Sequence, residues 1–271
     1  MVKIGFIGGG NMATALIGGL AGQLTAGANI HVVDLNPDSL AALQQQFGVT
    51  TALQPDAILD QCDVIVLAVK PQQLRTVAAA IAPFVQQQLI ISIVAGIRSD
   101  DLSRWLNGHQ AIVRTMPNTP ALIGKGITGV FPTSGVSQPQ REVADQILRA
   151  VGSTVWLDDE NLIDAVTAVS GSGPAYVFYF MEAMQQAAVE LGLSPEQGIA
   201  LAKATFAGAT ELAVRSPDPV SVLRERVTSK GGTTYAALTS MNSDAVGPHI
   251  VKALHCAAAR GKELGEEFGK D

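Results

Sequence analysis

Three glycines near the start of the chain form the most chemically informative pattern in the sequence. Residues 8–13, called here the glycine turn, read Gly-Gly-Gly-Asn-Met-Ala and fit the spacing G-x-G-x-x-A. An apolar segment precedes them and a segment of helical composition follows. In that setting Gly8 permits a tight turn, Gly10 lets the backbone approach a pyrophosphate, and Ala13 keeps the helix close to the strand. Because free N–H groups at a helix start attract phosphate oxygens, the pattern predicts a dinucleotide-binding turn.

An acidic residue at the expected distance supports this interpretation. Asp34 ends the second predicted strand, about 20 residues after the glycine turn, where a carboxylate binds ribose hydroxyls. A carboxylate repels a 2′-phosphate, and residues 35–40 contain no Arg or Lys, so we expect NADH to serve at least as well as NADPH. Asn36 and Ser39 offer hydrogen bonds to a 2′-phosphate, so NADPH stays open. The alternative is a glycine turn of another α/β protein, with Asp34 as a strand-end cap.

Two polar positions follow other predicted strands. Lys70 comes directly after residues 63–69, and its side chain either faces the cofactor or lies in solvent before a helix. Asn118 lies between two prolines that stiffen the chain after residues 111–116. Its side chain either lies near the nicotinamide or belongs to an ordinary rigid loop. Carboxyl ends of parallel strands line the ligand crevice in α/β sheets, which favours both positions as site candidates.

Two glycine-containing segments lie in the second half of the chain. Residues 229–234, called here the Lys-Gly-Gly loop, read Ser-Lys-Gly-Gly-Thr-Thr and precede a helix predicted to start at about Thr234. Their backbone N–H groups suit a small carboxylate, and the alternative is a linker between helices. Residues 170–174 read Ser-Gly-Ser-Gly-Pro and open a long helix. We interpret their glycines as close packing contacts between helices, and the alternative is that they line the cleft.

The elements that must position these residues change character along the chain. The first part alternates strands and helices, which predicts βαβ units and a doubly wound, mostly parallel sheet. The second part is helical and rich in Ala. We expect a dinucleotide-binding domain at 1–159 and a helical domain for dimerisation and substrate binding at 160–271. The predicted strands are 3–7, 29–34, 63–69, 89–94, 111–116 and 127–131, and the predicted helices are 11–24, 37–47, 175–191, 195–215, 217–227 and 247–268.

Composition narrows the functional class. The chain has 271 residues, of which 47% are hydrophobic and 15% charged, a balance that indicates extra buried surface such as a subunit interface, and the alternative is an Ala-rich helical core. Its net charge of −6 disfavours nucleic acid and anionic membranes as partners. No apolar run reaches the ~20 residues that span a bilayer, and no signal peptide is recognisable, so we expect a cytoplasmic protein. Cys62 and Cys256 lie in no metal-binding pattern, and we predict no metal.

Five segments of the chain together resemble the motifs of pyrroline-5-carboxylate reductases. They read GFIGGGNMA, AVKPQ, RTMPNTP, SGSGPAYVF and VTSKGGTT, and they run in the family's order over essentially the whole chain. SGSGPAY and SKGGTT are specific to that family, whereas the glycine turn is not. The resemblance implies a Rossmann domain, a helical dimerisation domain and a homodimer that often assembles into a decamer. It also implies reduction of 1-pyrroline-5-carboxylate to L-proline with NADPH or NADH, the final step of proline biosynthesis.

The resemblance further implies which residues form the site. Family members often carry a polar or basic residue where Asp34 and Leu35 stand, which leaves the family's common NADPH preference open here. Glu160 matches an acid near the substrate. The implied cofactor contacts are Ile7, Gly8, Gly9, Gly10, Asn11, Met12, Asp34, Asn36, Ala68, Val69, Lys70, Pro71, Ala95 and Gly96. The implied substrate contacts are Asn118, Glu160, Ser229, Gly231, Gly232, Thr233 and the catalytic Thr234, which lies near the ring nitrogen.

The chemistry of a cyclic imine fits such a site. A C=N bond is most electrophilic when protonated, and its reduction then requires positioning more than acid catalysis. None of the four histidines lies in a recognised motif, so we assign none a catalytic role. One alternative is a β-hydroxyacid dehydrogenase, but its catalytic Lys would be Lys203, which lacks the accompanying Asn. Another is a protein that binds NAD(P) without chemistry, against which the Lys-Gly-Gly loop argues.

Overall fold

The computed structural model describes residues 1–270 and divides into two compact units. The first unit comprises Met1–Ser172 and the chain from Ala257 onward, and the second is Gly173–Cys256. The domain boundary predicted at residue 160 lies before the observed boundary at Ser172. The difference arises because helix α6 (Leu162–Val166) still packs on two strands of the first unit. Helix α11 (Val246–Phe268) begins in the second unit and ends in the first.

The first unit is built on one twisted sheet. Its eight strands have the order β3-β2-β1-β4-β5-β6-β7-β8. All neighbouring strands are parallel except β6 and β7, which pair antiparallel. The predicted doubly wound, mostly parallel fold is confirmed. The strands are β1 (Ile4–Ile7), β2 (Ile30–Val33), β3 (Thr50–Ala52), β4 (Val64–Leu67), β5 (Leu89–Ser92), β6 (Ile112–Met116), β7 (Gly126–Pro132) and β8 (Gly152–Trp156).

Both faces of this sheet are covered, which is why its central strands are continuous apolar runs. Every residue of β1, β2, β4 and β5 is buried. One apolar core lies under the first, second and fifth helices, and the other lies under the third and fourth. These helices are α1 (Asn11–Leu20), α2 (Pro37–Phe47), α3 (Pro71–Ile81), α4 (Ser99–Trp105) and α5 (Gln138–Arg149).

Local sequence signals set the ends of α2 as predicted. The side chain of Asn36 accepts hydrogen bonds from the N–H groups of Asp38 and Ser39, and Pro37 occupies the first helical turn. Gly48 ends the helix in the left-handed conformation, with φ +67°. By contrast, β3 and β8 were not predicted, because β3 has three residues and β8 alternates half-buried and exposed positions.

The second unit consists of helices, as predicted. They are α7 (Gly173–Glu190), α8 (Pro195–Arg215), α9 (Val220–Arg226), α10 (Thr233–Ser243) and the first part of α11. Among the described helical residues of this unit, only Gly198 and Ala202 are buried. Large apolar side chains such as Phe178 and Tyr179 are exposed. None of the helices within residues 1–270 combines the length and apolar character needed to cross a membrane.

Candidate functional site

The centre of the sheet supplies a crevice at its carboxyl edge. From β1 the chain first builds outward through β2 and β3, and then returns to add β4 on the opposite side. Ligands bind at such a switch point, outside the carboxyl ends of the strands. The backbone closes the base of the crevice, since the Gly8 N–H donates to the Val33 carbonyl and the Ala68 N–H donates to the Ile7 carbonyl, both at 2.8 Å.

The glycine turn has the geometry that a pyrophosphate requires. Gly8 adopts φ +103°, and a Cβ there would lie 2.5 Å from the Ala68 carbonyl oxygen, so only glycine fits. A Cβ at Gly10 would meet nothing within 4 Å, so the space beside this backbone is open to a ligand. Gly10 is the N-cap of α1 and provides no side-chain cap, which leaves the first N–H groups of the helix to phosphate oxygens.

Asp34 is fixed against this turn. Its Oδ2 accepts a hydrogen bond from the Gly9 N–H at 2.6 Å, and its Oδ1 accepts one from the Asn36 N–H at 2.8 Å. The two polar side chains considered for a 2′-phosphate are already engaged. Asn36 caps α2 through its Oδ1, and the Ser39 hydroxyl donates to the Gly9 carbonyl at 2.9 Å.

A cavity of about 280 Å³ opens beside this carboxylate. Among the described residues that line it, Asp34 is the one that carries a charge. Gln54 is a polar part of the wall, and sequence reasoning missed it because it follows the short strand β3. The apolar walls are Leu35, Leu53, Pro55, Val69 and Val77. The size, position and walls fit the adenosine half of a dinucleotide.

The remaining predicted cofactor residues lie along the same edge of the sheet. Lys70 is exposed directly before α3, and Val69 lines the cavity. Ala95 and Gly96, called here the β5 turn, follow the end of β5, the strand next to β4. Gly96 adopts φ +80°, and a Cβ there would touch Leu264 and Phe268 of α11 at 3.4 Å. The glycine turn, the cavity and the β5 turn therefore lie at the carboxyl edge of the same sheet.

Asn118 is buried and both ends of its amide are bonded within the protein. Its Nδ2 donates to the Ser170 carbonyl at 3.1 Å, and its Oδ1 accepts from the Ile127 N–H at 3.0 Å. The segment that contains Ser170 forms a π-helical turn at Thr167–Gly171. These bonds match the rigid-loop alternative for Asn118, and a direct contact of its side chain with a ligand stays a prediction.

Glu160 also has its polar atoms occupied. Its Oε1 accepts from the Ser99 N–H at 2.7 Å and from Arg114 Nη1 at 2.8 Å, while its Oε2 accepts from the Ser99 hydroxyl at 2.7 Å. Arg114 is 3% exposed. Sequence reasoning missed Ser99 and Arg114. The one available signal was an Arg within an otherwise apolar strand. Contact between Glu160 and a substrate stays a prediction.

The Lys-Gly-Gly loop lies in the second unit. Gly231 adopts φ +75°, and a Cβ on Gly232 would lie 2.7 Å from Ser229 Oγ, so the close turn depends on both glycines. Gly232 is the N-cap of α10 and gives the helix no side-chain cap. The N–H groups of Thr233 and Thr234 therefore begin an 11-residue helix beside the exposed side chains of Ser229 and Lys230. This arrangement suits a carboxylate.

Two further features bear on the alternatives. Lys203, the candidate base of a β-hydroxyacid dehydrogenase, is an exposed residue of α8. Within residues 1–270 there is no group of three or more His, Cys, Asp or Glu side chains that could hold a metal ion.

The sheet, the glycine turn and the helical unit define the class of dinucleotide-dependent oxidoreductases with a Rossmann domain. The family model for NADP oxidoreductases, coenzyme F420-dependent, matches residues 3–96, and the one for pyrroline-5-carboxylate reductase dimerisation matches residues 160–264. A pyrroline-5-carboxylate reductase of Pseudomonas aeruginosa is 44% identical over 99% of this chain and 98% of that protein. The chain belongs to the pyrroline-5-carboxylate reductase family.

Solved structures of the family agree with this assignment. The pyrroline-5-carboxylate reductase of Coxiella burnetii has a TM-score of 0.91 and 38% identity, with 97% of this chain and 98% of that chain covered. The pyrroline carboxylate reductase of Plasmodium falciparum, solved with NADP bound, has a TM-score of 0.86 and 30% identity over the same shares of the two chains.

Proposed function

We propose that this chain reduces 1-pyrroline-5-carboxylate to L-proline with NADH or NADPH as the reductant. The observation that carries the proposal is the glycine turn at the switch point of the sheet, in a chain that belongs to this family over nearly its full length. The Lys-Gly-Gly loop supports the substrate class, because an uncapped helix start beside a lysine attracts a carboxylate.

The residues of the chain bind and orient, and they need not supply a proton. The nicotinamide coenzyme supplies a hydride when bound. The backbone N–H groups of Gly231 and Thr233 hold the substrate carboxylate, and Thr234 orients the ring nitrogen. The Gly232 N–H, which the sequence also predicts as a donor, instead donates to the Ser229 carbonyl at 3.0 Å. Because the substrate binds as an iminium, the product amine requires no proton from a side chain, and catalysis depends on alignment of the two reactants.

We also propose that NADH is the better coenzyme. The cavity beside the glycine turn offers a 2′-phosphate no cationic side chain among its described lining residues. It offers instead the carboxylate of Asp34, which two backbone N–H groups hold in place. Because like charges repel each other, the Asp34 carboxylate disfavours binding of the 2′-phosphate of NADPH. NADH carries no phosphate at this position and is not repelled.

The exposed apolar side chains of the second unit bear on how the chain assembles. We propose a homodimer formed through the second unit, whose helices expose large apolar side chains, and an assembly of dimers into a decamer. We place the enzyme in the cytoplasm, where both coenzymes are available.

An assay of coenzyme oxidation tests the proposed function. The purified chain is mixed with NADH or NADPH and with 1-pyrroline-5-carboxylate, and the loss of absorbance at the nicotinamide band is followed. The matched control is 1-pyrroline, the same imine without the carboxylate. We expect rapid oxidation with the carboxylate substrate, a KM increased by about a hundredfold without it, and a higher kcat/KM with NADH. Equal rates with both imines would contradict the role of the Lys-Gly-Gly loop, and no oxidation would contradict the function.

Replacement of Thr234 tests the assignment of the ring nitrogen. Thr234→Ala removes the hydroxyl, and we expect kcat to fall by about tenfold or more while the Kd of the coenzyme stays unchanged. Thr234→Ser keeps the hydroxyl and should retain most of the activity. An alanine variant with unchanged turnover would contradict the assignment.

A further inference from the structure

The β5 turn is tied to a buried polar cluster that the proposed chemistry does not use. We propose that Glu160 is a positioning residue for the β5 turn, through Ser99, and does not contact the substrate. The inference rests on the proposed function, because it takes the β5 turn as part of the coenzyme site.

Glu160 is bonded to the start of α4. Ser99 is the first residue of this helix and is 4% exposed. The carboxylate of Glu160 accepts both its N–H and its hydroxyl at 2.7 Å. A carboxylate at a helix start is favoured by the helix dipole, and two bonds to one residue fix that residue closely. Only Ile97 and Arg98 separate Ser99 from the β5 turn.

Glu160 is in turn held by side chains of its surroundings. Arg114 projects from β6 and donates to Glu160 Oε1 at 2.8 Å, and its Nη2 lies 3.8 Å from Asp164 Oδ1. A second tie runs in parallel, since Arg98 Nη1 donates to Asn161 Oδ1 at 3.2 Å. The backbone that leaves the β5 turn is therefore attached to the sheet through residues 160 and 161.

The end of α11 packs against the β5 turn. A Cβ on Gly96 would contact Leu264 and Phe268, and a Cβ on Gly265 would lie 2.9 Å from the Gly96 carbonyl oxygen. With α11 on one side and the Glu160 cluster on the other, the position of the turn depends on both. A carboxylate whose two oxygens already accept three donors has little capacity left for a substrate.

The test separates binding of coenzyme from binding of substrate. Ser99→Ala removes one donor to Glu160, and Glu160→Gln removes the charge. We measure the Kd of NADH by titration calorimetry without substrate, and then the KM of the imine at saturating NADH. We expect both variants to weaken NADH binding by about tenfold, the loss of one hydrogen bond to a charged group, with the KM of the imine unchanged.

Controls identify the cause of the change. Ser99→Thr keeps the hydroxyl and should bind NADH as tightly as the parent chain does. Asp158→Asn removes a charge at an exposed residue near Glu160 in the sequence and should leave the Kd of NADH unchanged. The double variant Ser99→Ala with Glu160→Gln should lose little more than Glu160→Gln alone, because both changes act through the contact between Glu160 and Ser99. Circular dichroism and Tm measurements verify that each variant is folded. If Glu160→Gln does not fold, Ser99→Ala still tests the inference, because it retains the ion pair between Glu160 and Arg114.

Two outcomes would overturn the inference. A raised KM for the imine with an unchanged Kd for NADH would make Glu160 a substrate ligand. An unchanged Kd in a folded Ser99→Ala variant would show that the cluster does not act on the β5 turn. Since the Kd of NADH is measured without turnover, a failure of the proposed reaction is distinguishable from a failure of this inference.

Discussion

Asp34 serves two purposes through one side chain. Its carboxylate accepts a hydrogen bond from the Gly9 N–H and thereby stabilises the glycine turn. It is also the one charged side chain among the described residues that line the adjacent cavity. Any substitution therefore risks changing the shape of the turn along with its electrostatics. Asparagine largely separates the two, because its carbonyl oxygen can still accept the Gly9 N–H, although the bond to the Asn36 N–H is lost together with the negative charge.

We predict that Asp34→Asn shifts coenzyme preference toward NADPH. The ratio of kcat/KM for NADPH to that for NADH should rise by about tenfold, since the repulsion of the 2′-phosphate is removed. Steady-state kinetics with both coenzymes measure the ratio. Asp38→Asn, a change of the same charge at an exposed position of α2, serves as the control and should leave it unchanged. A ratio that is unaffected in Asp34→Asn would refute an electrostatic role for this residue.

His31 is a buried titratable residue of β2, the strand that precedes Asp34. Its Nδ1 lies 2.9 Å from Thr50 Oγ1, and its Nε2 lies 3.4 Å from Asp56 Oδ1. Burial lowers the pKa of His31 below its usual value of 6.5, and the charge of Asp56 offsets part of this effect. The folded protein therefore binds a proton at His31 less readily than the unfolded chain does.

We predict that His31 makes the protein less stable in acid. Because the pKa of this residue is depressed in the folded state, stability is fully present above pH 6.5 and is lost as the pH falls through the folded pKa. Urea denaturation at pH 7.5 and at lower pH values measures the free energy of unfolding. The variant His31→Gln should show a smaller loss of stability on acidification than the parent chain. Identical losses in the two proteins would disprove the contribution of His31.

At the scale of elements, the last part of α11, which belongs to the first unit, depends on one glycine for its close packing. A Cβ on Gly265 would lie 2.9 Å from the Gly96 carbonyl oxygen, whereas a Cβ on Gly261 would meet no atom closer than 3.6 Å. The same helix therefore offers one position where a methyl group collides with backbone and one, about a turn earlier, where it fits. Backbone cannot move aside as a flexible side chain does.

We predict opposite effects of alanine at these two glycines. Gly265→Ala should lower the free energy of unfolding by about 1–3 kcal/mol through overpacking. Gly261→Ala should leave it unchanged or raise it by about 0.5–1 kcal/mol, since alanine favours the helix over glycine. Chemical denaturation of both variants measures the difference, and equal effects at the two sites would contradict the close contact of Gly265 with the β5 turn.

At the scale of the whole molecule, the second unit lacks a core of its own. Its described helices bury Gly198 and Ala202, while Phe178 and Tyr179 are 58% and 72% exposed. So little buried apolar surface cannot offset the conformational entropy lost on folding. Residues 160–264 match the family's dimerisation region, so a second copy of the chain is the partner that would cover these side chains.

We predict that this unit forms the dimer in solution. Light scattering after size-exclusion chromatography should give at least twice the chain mass of 28.2 kDa. Phe178→Asp places a charge on the exposed apolar surface and should reduce the mass to that of one chain. Leu53→Asp, at a leucine of the first unit that is 52% exposed, is the control and should keep the larger mass. A monomeric parent chain would contradict the prediction.

The sequence by itself determined the features that short stretches of chain encode. The glycine turn, the acid at the end of β2 and both ends of α2 were predicted because φ preferences, caps and helix starts act between near neighbours. The buried strands were predicted for a similar reason, since burial on two faces leaves a continuous apolar run. β3 and β8 were missed because each is half-buried and takes its conformation from a partner strand.

Tertiary structure alone decided what the polar side chains do. Asn118 and Glu160 have the residue types of ligands, yet the structure joins Asn118 to Ser170 and Glu160 to Ser99 and Arg114. Spacing cannot reveal these pairs, because their members come from separate elements that meet only when the sheet and helices pack. A buried polar group must find some partner, and packing determines whether that partner is the protein or a substrate.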